Sequence, residues 1–228
     1  DRETISLNFP TTLTEVYFES TSSTLIETFA SGFKHECYDN MKKMSILCDQ
    51  KLGKLPKEKQ FFLSKMPNLH YVHLKTLENS DLILESLESL NIKELSLIIT
   101  DITDYWHFST IRNPLTKLQS LQKLEVNFQR ETVFKLFHGD LSDLTNLHTL
   151  WLESRTAIKP SPSLTVALER AFQHLRMLPR LKNIVVEGNP EWTKIMEKYA
   201  FFCDLLVKEY ASIHDCFEIS SQKSIPPL

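Results

Sequence analysis

Leu147-His148-Thr149-Leu150-Trp151-Leu152 is a phrase that this chain repeats. An apolar residue, two intervening residues and then apolar-x-apolar recur as Leu69-His70-Tyr71-Val72-His73-Leu74, Ile92-Lys93-Glu94-Leu95-Ser96-Leu97, Leu121-Gln122-Lys123-Leu124-Glu125-Val126 and Leu181-Lys182-Asn183-Ile184-Val185-Val186. Four of these five copies carry a further apolar residue three positions earlier, at Met66, Leu118, Leu144 and Leu178. Weaker copies run from Leu13 to Phe18 and from Met41 to Ile46, and Phe217-Glu218-Ile219 is a candidate last one. Chance supplies one or two such phrases in a Leu-rich chain, but not five in one frame.

With Val16, Met44, Val72, Leu95, Leu124, Leu150, Ile184 and Phe217 as anchors, the intervals are 28, 28, 23, 29, 26, 34 and 33 residues. This is the L-x-x-L-x-L core of a leucine-rich repeat, whose usual period is about 20–29 residues. Each short strand buries its two anchors against a helix of its own repeat, and neighbouring strands pair side by side, since no single repeat can bury its apolar face alone. The sequence thus predicts an α/β fold, a leucine-rich-repeat solenoid or horseshoe, with a parallel concave sheet and irregular convex helices. About eight repeats would span residues 1–219, followed by a C-terminal tail at 220–228. Ile5-Ser6-Leu7 also looks strand-like, but it precedes Val16 by only 11 residues and so reads as a capping strand or as the result of a cut chain.

Helices are expected between the phrases. Asn189-Pro190-Glu191 combines a capping side chain with proline at the first helical position. The apolar spacing from Trp192 through Ile195, Met196 and Tyr199 would carry that helix to about Tyr210. Ser163–Met177 reads as another, with Leu164, Ala167, Leu168, Ala171, Phe172 and Leu175 in one stripe. Shorter helices are predicted around Thr24–Phe33, Lys57–Lys65, Asp81–Ser89, Tyr105–Arg112 and Thr132–Phe137. The asparagine that many such repeats place after the strand is missing: Leu77, Thr100, Gln129 and Arg155 stand there, and only Asn189 fits.

Composition narrows the function classes. The 228 residues are 42% hydrophobic and 24% charged, which are globular proportions, with a net charge of −3 that gives no global field for nucleic acid. Four scattered glycines leave no phosphate-cradling loop. No G-x-S-x-G elbow or Cys/His signature is present, so neither an enzyme nor a cofactor is expected. Cys37, Cys48, Cys203 and Cys216 lack the close pairing of a zinc ribbon and read as reduced thiols. None of the ten asparagines lies in an N-x-S/T sequon, no apolar run approaches about 18 residues, and no signal peptide is seen. The expectation is a cytoplasmic or nuclear protein that contacts no membrane. A start at Asp1 rather than Met reads as a fragment.

Strand periodicity defines the candidate surface. If the anchors point inward, the residues just before, between and just after them point to solvent. Trp151 is the foremost candidate for protein binding, because large aromatics dominate interface hot spots. Tyr17, Tyr71 and His73 are secondary, and Lys75, Glu125, Glu153 and Val185 complete the candidate set. Three strand steps of about 4.8 Å put Trp151 roughly 15 Å from His73, within one protein footprint. The alternative is that a loop or the C-terminal tail folds over Trp151 and buries it.

Other features read as structural. His70 and His73 stand three apart on a strand, hence on opposite sides, and no metal-ligand spacing occurs elsewhere, so no metal is expected. Lys51, Lys54, Lys57, Lys59 and Lys65 form a basic stretch that reads as a solvated connection, and the acidic run Glu78, Asp81, Glu85, Glu88, Glu94, Asp101 and Asp104 argues against a nucleic-acid groove. Tyr105-Trp106-His107-Phe108 reads as convex-side packing. Ser220–Leu228 reads as a mobile tail that could instead lie along the concave face.

Irregular repeats of this kind, without an asparagine ladder or cysteine caps, resemble the leucine-rich substrate-binding halves of F-box proteins, particularly fungal ones. The resemblance spans about Leu13 to Ile219. It implies a substrate receptor of a Skp1–cullin–F-box ubiquitin ligase, with the target protein on the concave face. Skp1 and the cullin would be reached through an F-box outside this chain, since no stretch of it reads as one. The alternative from another class is a leucine-rich-repeat scaffold or regulator unrelated to ubiquitin, of a GTPase-activating or inhibitor type.

Overall fold

Each of the five strong phrases forms one β-strand, entered two residues after the first apolar position. A computed structural model describes residues 9–20, 23–33, 38–48, 62–76, 86–99, 114–128, 143–154, 161–188, 190–199 and 204–209. The strands are β1 (Glu15–Ser20), β2 (Lys43–Cys48), β3 (Tyr71–Thr76), β4 (Glu94–Ile99), β5 (Lys123–Phe128), β6 (Thr149–Ser154), β7 (Asn183–Gly188) and β8 (Asp204–Glu209). They make one sheet in chain order, and every neighbouring pair is parallel. The protein is therefore α/β, built on an eight-stranded parallel sheet.

Register carries the sequence alignment into space. Met44, Val72, Leu95, Leu124, Leu150 and Ile184 stand side by side across β2 to β7, as do Ile46, Leu74, Leu97, Val126, Leu152 and Val186. All twelve side chains are buried. Burying an aliphatic side chain of this size contributes about 1.5–3 kcal/mol, so the two rows are a main source of stability. In β1 the corresponding Val16 and Phe18 are only partly buried. Phe18 stacks on Phe29 at 4.2 Å between centroids, within an aromatic cluster that includes Phe9, Phe33, Tyr38 and Phe62.

Backbone hydrogen bonds repeat with the same period. At the start of β3 the N–H groups of His70 and Tyr71 both donate to Lys42 O, and at β4 those of Lys93 and Glu94 donate to His70 O. The pattern continues with Gln122 and Lys123 onto Lys93 O, His148 and Thr149 onto Gln122 O, and Lys182 and Asn183 onto His148 O. Before four of the five strong phrases the chain turns, with Leu69 N donating to Met66 O, Leu121 N to Leu118 O, Leu147 N to Leu144 O and Leu181 N to Leu178 O. A side-chain ladder joins these turns. Asn40 Nδ2 donates to Thr11 O, Asn68 Nδ2 to Asp39 O, Ser120 Oγ to Ile92 O and Asn146 Nδ2 to Gln119 O. Asparagine thus bridges repeats from the position before the phrase at Asn40, Asn68 and Asn146, and Ser120 does so before Leu121; Asn189 lies outside the described residues.

Three helices are described. Ser23–Gly32 is α1, one residue earlier than expected. Pro162–Leu175 is α2, where Ser161 Oγ accepts the N–H of Leu164 at 3.0 Å and Pro162 supplies the first-turn φ. Its buried stripe is Leu164, Leu168, Ala171, Phe172 and Leu175. Pro190–Tyr199 is α3, with Trp192 and Met196 buried. Of the Lys57–Lys65 helix, the described part is a single 3-10 turn at Phe62–Lys65, and of Asp81–Ser89 the described part is helical at Ser86 and a turn over 87–89. Tyr105–Arg112, Thr132–Phe137, the strand-like Ile5–Leu7, the tail at 220–228 and Phe217–Ile219 lie outside the described residues.

The C-terminal end corrects the sequence reading. The α3 helix stops at Tyr199 instead of running to Tyr210, and Asp204–Glu209 is a strand paired to β7, Ile184 standing opposite Leu205. Short apolar runs fit helical and strand spacing alike. Here the backbone groups along the edge of β7 pair with this segment, beginning with Asp204 N on Lys182 O at 2.7 Å. Leu205 thus takes the anchor position on the eighth described strand, while Phe217 lies outside the described residues. Among the described residues, no helix is long and apolar enough to cross a membrane.

Candidate functional site

The face turned away from the two apolar rows carries three lanes of side chains, one residue per strand in each. The first contains Glu15, Lys43, Tyr71, Glu94, Lys123 and Thr149; the second Tyr17, Ser45, His73, Ser96, Glu125, Trp151 and Val185; the third Glu19, Leu47, Lys75, Ile98, Asn127, Glu153 and Glu187. Every predicted site residue falls in one of these lanes. His73, Glu125, Trp151 and Val185 share the middle one, and Trp151 stands directly between Glu125 and Val185.

Trp151 is half-buried and held from two sides. Its indole Nε1 donates to Glu187 Oε2 at 3.1 Å, and Lys123 Nζ lies 5.1 Å from its ring centroid. A hydrogen bond to a charged acceptor contributes about 1.5–3 kcal/mol and an exposed cation–π contact about 0.5–1 kcal/mol. Lys123 also approaches Glu125 at 3.6 Å. The sequence places Lys123 and Glu187 on this face but leaves them out of the candidate set. The signal was their spacing, since Glu187 is two residues beyond the register partner of Trp151.

Tyr71 is half-buried beside Glu94 in register, and burial first, then the charges of Glu125 and Glu94, push its phenol up from the ordinary value. Tyr17 lies at the β1 end and is 50% exposed. Its hydroxyl donates to Glu19 at 2.7 Å, and desolvation, that hydrogen bond and the Glu19 charge together push its pKa up to about 12. Tyr17 is five strands from Trp151, roughly 24 Å at 4.8 Å per strand, and so belongs to a different part of the face. Lys43 and Glu15 pair nearby at 2.9 Å, both well exposed.

Two of the candidate residues are not solvent-exposed as expected. Val185 is 6% exposed and Glu153 8%, and Ser96, Ile98, Asn127 and Glu187 on the same face are buried too. Side chains on adjacent strands stand only about 4.8 Å apart, so a large neighbour screens a small one, as Trp151 stands next to Val185. Lys75 and His73 are half-buried. The part of the face open to a macromolecule is thus narrower than the lanes, and centres on Tyr71, His73, Glu125 and Trp151.

Charge on this face is uneven. From β4 to β7 the lanes hold Glu94, Glu125, Glu153 and Glu187 against one lysine, Lys123. His70 lies before β3, its Nδ1 3.2 Å from Asn68 O, and among the described residues no group of three His, Cys, Asp or Glu side chains could hold a metal ion. Lys65, the described member of the basic stretch, donates to Phe33 O at 2.9 Å, and Glu88 of the acidic run pairs with Lys117. Most of both runs lies outside the described residues, as does Tyr105–Phe108. No protein-family model matches the chain, and no curated protein matches it in sequence.

Proposed function

We propose that the chain is a leucine-rich-repeat horseshoe whose eight strands line the concave side, and that this side holds a protein partner. The observation that carries the reading is the coincidence of three periods. Sequence phrases, buried anchor rows and doubled backbone hydrogen bonds at the strand starts all advance by one strand per repeat. Stacked repeats of this type present one continuous side-chain surface, which such proteins use for protein recognition. Tyr71, His73, Glu125 and Trp151 form its contact centre.

Within this reading the chain is the substrate receptor of a Skp1–cullin–F-box ubiquitin ligase. The support is the irregular repeat spacing, which resembles the substrate-binding halves of F-box proteins. The mechanism is positional: the face holds a target protein while the ligase supplies the chemistry elsewhere. Mass spectrometry of proteins that copurify with the full-length chain tests this. Skp1 and a cullin at near-stoichiometric levels uphold it. Their absence, under conditions that recover a control F-box protein, leaves a recognition scaffold or regulator outside the ubiquitin system.

A further inference from the structure

The residue just before each strand belongs to a further row, along the rim of the sheet where the strands begin. Thr14, Lys42, His70, Lys93, Gln122, His148 and Lys182 follow one another across the repeats. From Lys42 onward each backbone N–H donates to the carbonyl of the residue before it in the row, beginning with Lys42 N on Thr14 O at 2.7 Å and ending with Lys182 N on His148 O at 3.0 Å. Lys42, Lys93, Gln122 and Lys182 are exposed, and His70 and His148 are half-buried. Among the described residues, the side chains of Lys42, Lys93 and Lys182 have no ion pair or hydrogen bond.

Neighbouring positions add to the charge of this rim. Arg180 donates to the neutral Asn146 Oδ1 and keeps its charge, while Lys43 and Lys123 are shared with Glu15 and Glu125. Glu94 is the single carboxylate at the first position of β2 to β7, and Asp39, further out beside Asn40, has an interaction of its own. At the opposite ends of the same strands, Cys48, Thr76, Ile99, Phe128, Ser154 and Gly188 are uncharged. Cations therefore gather at one rim of a chain whose net charge is −3.

We infer that this rim holds an acidic, extended segment of a protein partner, running across the strands from Lys42 to Lys182. It is a second contact zone, and it does not rest on the Trp151 surface. Five strand steps of about 4.8 Å span roughly 24 Å, the length of about seven extended residues at about 3.3 Å each. Backbone hydrogen bonds fix the spacing of the row, and exposed cations without partners steer and register an acidic chain at little desolvation cost. A nucleic-acid strand carries a phosphate at every residue and would set some of them against Glu94; a peptide places carboxylates only where cations stand.

Fluorescein-labelled octa-glutamate and an eight-nucleotide single-stranded DNA, titrated against the full chain at low salt with anisotropy as readout, test the rim. Octa-glutamate binds more tightly than the DNA, and its affinity falls as salt is raised. The triple variant Lys42→Gln, Lys93→Gln, Lys182→Gln weakens it about tenfold. A control triple, Arg170→Gln, Lys194→Gln, Lys198→Gln, removes the same charge from exposed positions of α2 and α3 and changes it less than about threefold. Equal losses from the two triple variants, or no binding of octa-glutamate, overturn the rim site. Tighter binding of the DNA, lost in the rim variant alone, overturns the acidic peptide in favour of nucleic acid.

Discussion

Trp151 and Glu187 are joined across β6 and β7 by a 3.1 Å hydrogen bond from the indole Nε1 to the carboxylate, on the side of the sheet that carries no apolar row. The bond holds the indole ring in one orientation. Preorganised aromatic side chains lose little conformational freedom on binding, which is a main reason that they dominate interface energetics.

Removing the acceptor should therefore loosen the ring and cost stability. Glu187→Ala is expected to destabilise the fold by about 2 kcal/mol, because the bond is charge-assisted and Glu187 is 4% exposed. Glu187→Gln retains an acceptor and should cost less. Urea denaturation of the two variants checks the order.

Gly188 ends β7 where no side chain fits. A Cβ there would lie 2.7 Å from Trp192 Cδ1 and 3.2 Å from Ser154 O. Trp192 is fully buried and packs edge-on to Phe128 at 5.5 Å, so it has no room to retreat. Gly188→Ala should destabilise by about 1–3 kcal/mol, seen as a lower melting temperature.

The fold and the candidate face were legible to different depths. The buried rows could be read from the phrases alone, because anchors such as Leu124 and Leu150 face one side by the strand period of two. The last strand could not, since a short apolar run fits helical and strand spacing alike until its pairing with β7 is seen. Nor could the burial of Glu153 and Val185, which depends on what stands beside each on the next strand. The asparagine ladder had a signal, Asn40, Asn68 and Asn146 each preceding a phrase, which the search for asparagine after the strand passed over.

At the β1 end, the Tyr17 phenol ionises near pH 12 in the folded protein instead of 10.0, chiefly through desolvation and secondarily through Glu19. The folded state keeps this proton when the unfolded chain has lost it. Its contribution to stability is therefore complete below pH 10 and is lost as the pH rises toward about 12. Isotope-labelled tyrosine NMR should show its resonance titrating near pH 12, and Glu19→Gln should move it down toward 10.0.

The central claim is that the open face around Trp151 recognises a protein. Trp151→Ala separates that role from a structural one when affinity for a copurified partner and melting temperature are measured on the same preparations. The account predicts a loss of about 2 kcal/mol or more in affinity, roughly thirtyfold, in a variant that stays folded while the lost bond to Glu187 lowers its melting temperature by about 4–8 °C. An unchanged affinity, or an equal loss of affinity from Gly188→Ala, which destabilises the fold from the opposite side of the sheet, would contradict it.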